Sequence, residues 1–136
     1  MKSFKVAIAG FGGVGRATAS LLLSRHARYR DVYGVDVRLV AVCGSRSGAT
    51  DANGLDAAQL NDLKDGLSGP AFIDASGADI LIEAGPSDFR TGGPGLLYLR
   101  SSLSAGRDTI VISKGALVHS GRELRMLAEG SGALLK

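Results

Sequence analysis

The chain has 136 residues, 45% of them hydrophobic and 21% charged, which excludes a disordered or fibrous protein and allows one self-supporting domain. The formal net charge of +3 comes from 16 basic and 13 acidic residues that intermingle, and aromatics are only 5%, so no basic stripe interleaved with stacking rings points to nucleic acid. Cys43 is the single cysteine and rules out an internal disulfide; with no apolar stretch at the N-terminus long enough for a leader or a membrane span, the expected setting is cytoplasmic, away from membranes.

Taken in chain order, strand-like and helix-like segments alternate. Residues 4–9 read as a short apolar strand ending at glycine. Apolar residues at 14, 17, 21 and 22 have helical spacing, which predicts a helix over 14–29. Residues 37–43 form the second strand, with the run Leu39-Val40-Ala41-Val42 suited to burial on both faces. Residues 44–54 read as a polar, glycine-rich loop, and leucines at 60, 63 and 67 predict a helix over 55–67. Phe72-Ile73 reads as a short strand or turn. Residues 80–84 make a third strand, 85–95 a proline- and glycine-rich loop, 96–105 a helix, and 109–112 a fourth strand. Ser120 and Glu123 have capping-box spacing ahead of a last helix that Gly130 closes, and 133–135 starts another strand. His26 and His119 lack metal-ligand partners and read as surface residues, so no metal is expected.

Strands alternating with helices of this length predict an α/β fold, a Rossmann-type doubly wound parallel sheet in a single domain over 1–136. In such sheets ligands sit beyond the C-terminal strand ends, which places the residues that matter at 10–15, 44–47, 85–88 and 113–115.

Gly10-Phe11-Gly12-Gly13-Val14-Gly15 is a G-x-G-x-x-G loop. It follows the first strand and opens a helix, the context in which this pattern cradles a dinucleotide pyrophosphate. Gly10 serves the tight turn, Gly12 lets the backbone approach the phosphates, and Gly15 lets helix and strand pack closely. NAD enzymes carry an acid about 20 residues further on, after the second strand, to hold the ribose 2′-hydroxyl. Here that strand runs into Gly44-Ser45-Arg46-Ser47, and Asp36 lies at its wrong end. The guanidinium of Arg46, with the hydroxyl of Ser45, suits a 2′-phosphate, which favours NADP(H) and leaves NAD(H) open; the plainer alternative is a solvated loop arginine.

Three stretches resemble homoserine dehydrogenase, specifically its N-terminal cofactor domain: residues 9–15; Asp79-Ile80-Leu81-Ile82-Glu83-Ala84-Gly85-Pro86; and the span from Ala105 through Ile112-Ser113-Lys114-Gly115-Ala116-Leu117 to Ala128. The likeness covers nearly the whole chain. It implies NADP-dependent hydride transfer between homoserine and aspartate semialdehyde, with Lys114 at the active site and Ser113, Gly85 and Pro86 beside the cofactor. Two departures stand out. Ser113 replaces the family's usual asparagine, and the family's substrate domain, which supplies the remaining substrate ligands and the dimer surface, is missing from these 136 residues. The chain alone is therefore expected to bind cofactor without turnover, and to meet its small-molecule substrate only with that second domain; self-association into a homo-oligomer is left open. Glu83 either touches the site or is a hydrogen-bonded structural acid. Two other readings stay open: a non-catalytic nucleotide-binding or regulatory module, and the cofactor domain of another amino-acid dehydrogenase, such as one acting on aspartate.

Overall fold

The first strand, β1 (Lys2–Ala9), buries both faces: Val6 and Ile8 point one way and Ala7 and Ala9 the other, as in a strand covered by helices on both sides. The computed structural model describes residues 1–136. After β1 come α1 (Gly13–Ser24), α2 (His26–Tyr33), β2 (Val35–Cys43), β3 (Ser47–Thr50), α3 (Ala57–Leu60), β4 (Lys64–Asp65), α4 (Pro70–Ala75), β5 (Ile80–Glu83), α5 (Gly93–Ser104), β6 (Asp108–Val111) and α6 (Gly115–Ser131). They build a six-stranded sheet in the order β4-β3-β2-β1-β5-β6. The strands β2, β1, β5 and β6 are parallel, and the order reverses between β2 and β5 on either side of β1, which makes the sheet Rossmann-like. The other two extend it as a hairpin, β3 antiparallel to β2 and β4 antiparallel to β3, so the sheet is mixed rather than wholly parallel.

Two apolar layers sandwich the sheet. On one face Ile8, Leu39, Val42 and Ile82 pack under Ala19 of α1 and under Leu55 and Leu60. On the other, Ala7, Ala9, Val40, Ala41 and Leu81 meet Ile73 of α4. A third cluster joins α5 to α6 through Leu96, Leu99 and Leu103 against Ala116, Leu124 and Ala128. Outside that cluster the same two helices are tied by a bidentate pair, Arg100 Nε to Glu123 Oε2 at 2.6 Å and Nη2 to Oε1 at 2.8 Å.

Six expectations change. The helix expected over 14–29 breaks at Arg25 into α1 and α2, and the break turns His26 onto Asp36 of β2 at 2.7 Å. The loop expected over 44–54 contains β3. Its Gly48 hid the strand, yet a Cβ there would lie 2.4 Å from the Leu67 carbonyl oxygen, so the glycine marks a close backbone approach within a strand. The helix expected over 55–67 is one turn, α3, capped by Asp56 and Gln59; pairing of Lys64–Asp65 with β3 ends the helical stretch. Phe72-Ile73 lies in α4, whose Pro70 occupies the helix start. Lastly, α6 runs to Ser131 and is closed by Gly132 rather than Gly130. Ser120 interrupts it with a non-helical φ of −139°, but its hydroxyl pairs with His119 Nδ1 and Glu123 reaches Arg100, so no capping box forms. The strand started at 133–135 is present as a single parallel bridge, Thr109 to Leu135.

Candidate nucleotide-binding site

All four parallel strands end on the same side, and the connections leaving them meet over the end of β1. Between β1 and α1, Gly10 adopts a φ of +103°, and its amide donates to the Cys43 carbonyl of β2 at 2.8 Å. A Cβ on Gly10 would lie 2.3 Å from the Gly85 nitrogen, and one on Gly15 would lie 1.9 Å from the Gly10 carbonyl oxygen. The first and third glycines of the motif thus serve the protein's own packing. Gly12 and Gly13 have nothing within 4 Å of where a Cβ would stand, so the loop opens onto free space there. Gly12 caps α1 without a side-chain hydrogen bond, and the first-turn amides of an α-helix have no partners within the helix. Free amides, the positive end of the helix and an uncluttered surface fit a pyrophosphate.

The cleft above this loop has a volume of about 830 Å³. Gly10, Phe11, Gly12, Gly13, Val14, Ser45, Arg46, Gly85 and Pro86 all line it, so the sequence-predicted residues of three separate connections are brought together. Gly15 lies behind the loop, buried against Gly10. Ser45 and Arg46 form the exposed tip between β2 and β3, closed by the Gly44 amide donating to the Ser47 carbonyl at 2.9 Å. The Arg46 guanidinium is in none of the ion pairs of the fold. On β2, Asp36 is turned away from the cleft, bonded to His26 and to Arg38 Nε at 2.8 Å. The Arg38 and His26 contacts hold its carboxyl below the usual aspartate range.

Ser113 and Lys114 lie beside the cleft rather than in its lining. Ser113 is buried and its hydroxyl donates to Glu83. Lys114 is exposed at the start of α6, with its backbone amide donating to Ser87 Oγ at 3.2 Å. A Cβ on the following Gly115 would fall 2.4 Å from the Asp88 nitrogen, so the lysine turn sits directly on the 85–92 connection.

Sequence reasoning missed one wall. Ser68, Gly69 and Pro70 line the cleft opposite the glycine loop, and Tyr98 of α5 stands behind them. The Gly69 amide donates to the Tyr98 hydroxyl at 2.9 Å, and Cys43 Sγ lies 3.4 Å from the same oxygen. Burial is the main cause pushing the Tyr98 phenol above its ordinary value. The dipeptide Gly69-Pro70, a helix-start signal, was the available clue. Arg16 was missed as well: its guanidinium sits 4.5 Å over the Phe11 ring, forming a ridge between this cleft and a second groove of about 770 Å³ near α3. No cluster of three or more His, Cys, Asp or Glu residues is placed to hold a metal, and no helix is long and apolar enough to cross a membrane.

Fold and cleft together define a Rossmann-type nucleotide-binding domain. Residues 10–135 match the family described as the homoserine dehydrogenase NAD binding domain, and the chain belongs to that family. It is 32% identical to the NAD(+)-dependent homoserine dehydrogenase of Pseudomonas canavaninivorans, over 94% of this chain and 40% of that protein. In fold it matches the crystal structure of homoserine dehydrogenase from Thermoplasma acidophilum, with a TM-score of 0.81 at 20% identity, over 99% of this chain and 43% of that one. It also matches a hyperthermophilic archaeal homoserine dehydrogenase solved with NADPH, with a TM-score of 0.75 at 18% identity, over 98% and 43% of the two chains. The chain therefore spans about 40% of the length of these relatives.

Proposed function

We propose that residues 1–136 are the cofactor-binding unit of a homoserine dehydrogenase that prefers NADP(H). When bound, this cofactor donates or accepts the hydride that interconverts aspartate semialdehyde and homoserine. The observation that carries the reading is the convergence in one cleft of the open Gly12-Gly13 surface at the start of α1 with the unpaired Arg46. The first-turn amides of α1 bind the pyrophosphate. Arg46, with the Ser45 hydroxyl, holds the 2′-phosphate; a bidentate guanidinium fits that group, and no acidic side chain at the end of β2 repels it. Gly85 and Pro86 close the wall on the β5 side. Lys114, whose backbone amide donates to Ser87 and which follows the Glu83-bound Ser113, presents an ammonium that holds the reacting oxygen of the substrate and moves a proton to or from it.

Binding of NADPH to the purified chain tests this reading. Titration calorimetry is expected to show one site per chain, with NADH bound more weakly; absence of any binding would overturn it. A second reading, preference for NAD(H), is favoured by the relative from Pseudomonas canavaninivorans, whose name states dependence on NAD(+). Tighter binding of NADH than of NADPH would establish that reading in its place.

A further inference from the structure

Glu83 is a fully buried acid in the lining of the cleft: it is 1% exposed at the end of β5, and it is in none of the ion pairs of the fold. An acid in that setting has to be stabilised by something else. Oε1 accepts the Gly85 amide at 2.9 Å, and Oε2 accepts the Ser113 hydroxyl. The amide and the hydroxyl can both donate to the carboxyl group. The group also lies against the first turn of α5. A Cβ on Gly95 would stand 2.5 Å from Oε1, so the carboxyl group packs directly on the first turn of α5, at the positive end of a 12-residue helix. The fold has thus built a place for a buried negative charge and left it without a cation.

Across the cleft, Arg46 and Ser45 stand at the end of β2, on one side of the glycine loop; Glu83 stands at the end of β5, on the other. A dinucleotide laid over the switch point with its adenosine at Arg46 puts its nicotinamide half on the β5 side. The oxidised nicotinamide ring is a cation and the reduced ring is neutral. In a cleft walled by low-dielectric protein, a fixed carboxylate discriminates between them.

We infer that Glu83 is a redox-state selector: its buried carboxylate strengthens binding of the oxidised cofactor relative to the reduced one. This rests on the nucleotide-binding reading of the cleft. The role is distinct from that of a structural clasp, because a clasp holding Gly85 and Ser113 serves both forms of the cofactor equally.

The test is the ratio of dissociation constants for NADP⁺ and NADPH, measured by titration on the wild-type chain, on Glu83→Gln and on Ser113→Ala. Glu83→Gln keeps the shape and removes the charge. It is expected to weaken NADP⁺ by about tenfold and to change NADPH by less than about twofold. Ser113→Ala keeps the charge and removes one hydrogen bond, and is expected to leave the ratio within about twofold of the wild type. Equal weakening of both forms in Glu83→Gln, or an unchanged ratio, would overturn the selector role and leave only the clasp. Should Glu83→Gln not fold, Glu83→Met, which is of similar length and also uncharged, is read in the same way with the same two outcomes. If the wild-type chain binds neither form, the nucleotide reading itself has failed; if it binds both with a ratio indifferent to Glu83, only the selector has.

Discussion

Gly15 and Gly10 are in backbone contact: a β-carbon on Gly15 would sit 1.9 Å from the carbonyl oxygen of Gly10. The same motif holds Gly12, where a β-carbon meets nothing within 4 Å. Two glycines three residues apart therefore answer to different constraints, and substitutions separate them. Gly15→Ala forces the β1–α1 turn apart and is expected to cost about 2 kcal/mol or more, lowering Tm by more than roughly 5 °C. Gly12→Val adds its branched side chain on the open side, at an extended φ of −85° and ψ of −150°, and is expected to keep Tm within about 2 °C while abolishing NADPH binding. Thermal melts with and without NADPH check both; a ligand-induced rise in Tm that persists in Gly12→Val would show that the phosphates bind elsewhere.

Arg46 stands exposed and without an ionic partner at the tip between β2 and β3. Charge-assisted bonds of the kind it offers a 2′-phosphate are worth about 1.5–3 kcal/mol. Arg46→Ala is expected to weaken NADPH about tenfold or more and leave NADH nearly unchanged by calorimetry. Equal losses for the two cofactors would place Arg46 on a part of the nucleotide that they share.

Asp36 links α2 to β2 through His26 and Arg38. Its folded carboxyl titrates below its ordinary value of 3.8, chiefly because of the Arg38 hydrogen bond and next that of His26. A group depressed in this way stabilises the fold above its unfolded pKa, and the contribution is lost as pH falls through the folded value. Wild type is expected to melt higher than Asp36→Asn at pH 7, with the two curves converging below about pH 3.8. A difference in Tm that does not shrink with acid would mean that the charge on Asp36 is not what it contributes.

Residues 1–136 are expected to bind NADP⁺ without measurable homoserine oxidation. Positioning a substrate against the cofactor is worth roughly 7–11 kcal/mol, and in the proposed reading Lys114 is a single ammonium facing an amino acid with three functional groups. The chain spans about 40% of the length of its relatives, and the assay is to be run beside one of those longer enzymes. Comparable turnover by both would show that the substrate is held by residues between 1 and 136.

The glycine loop and the four parallel strands were legible because each is a local signal: a fixed motif, or a short run of apolar residues between turns. That Arg46, Gly85 and Lys114 stand just after strands followed from those, since strand ends are set by the topology; Arg46 and Gly85 line the cleft, and Lys114 lies beside it. The β3–β4 hairpin was not legible. Its strands are four and two residues long, Gly48 erases the side-chain alternation, and Leu60, Leu63 and Leu67 mimic a helical face. The wall made by Ser68–Pro70 and Tyr98 depended on where that hairpin delivers the chain, a long-range outcome absent from any one window. Glu83 was visible as a strand-end acid, but its burial without an ion pair, and its contact with Gly95, appear only when β5, α5 and the turn after β6 are assembled.

The hairpin also decides what the molecule does at its margins. A parallel sheet that stops abruptly exposes unpaired amides and carbonyls to any passing strand. On one side the outermost strand is β4, two residues long and made of Lys64 and Asp65, both exposed. A stranger docking there would find almost no ladder to extend and a charge of each sign to desolvate. On the opposite side the backbone of 134–136 already occupies β6, through Thr109 to Leu134 at 2.9 Å, Val111 to Lys136 at 2.9 Å and Lys136 to Thr109 at 3.0 Å. Brevity and charge blunt one border, and at the other residues 134–136 take up the hydrogen-bonding groups of β6, so neither β4 nor β6 offers a long free ladder for edge-to-edge stacking.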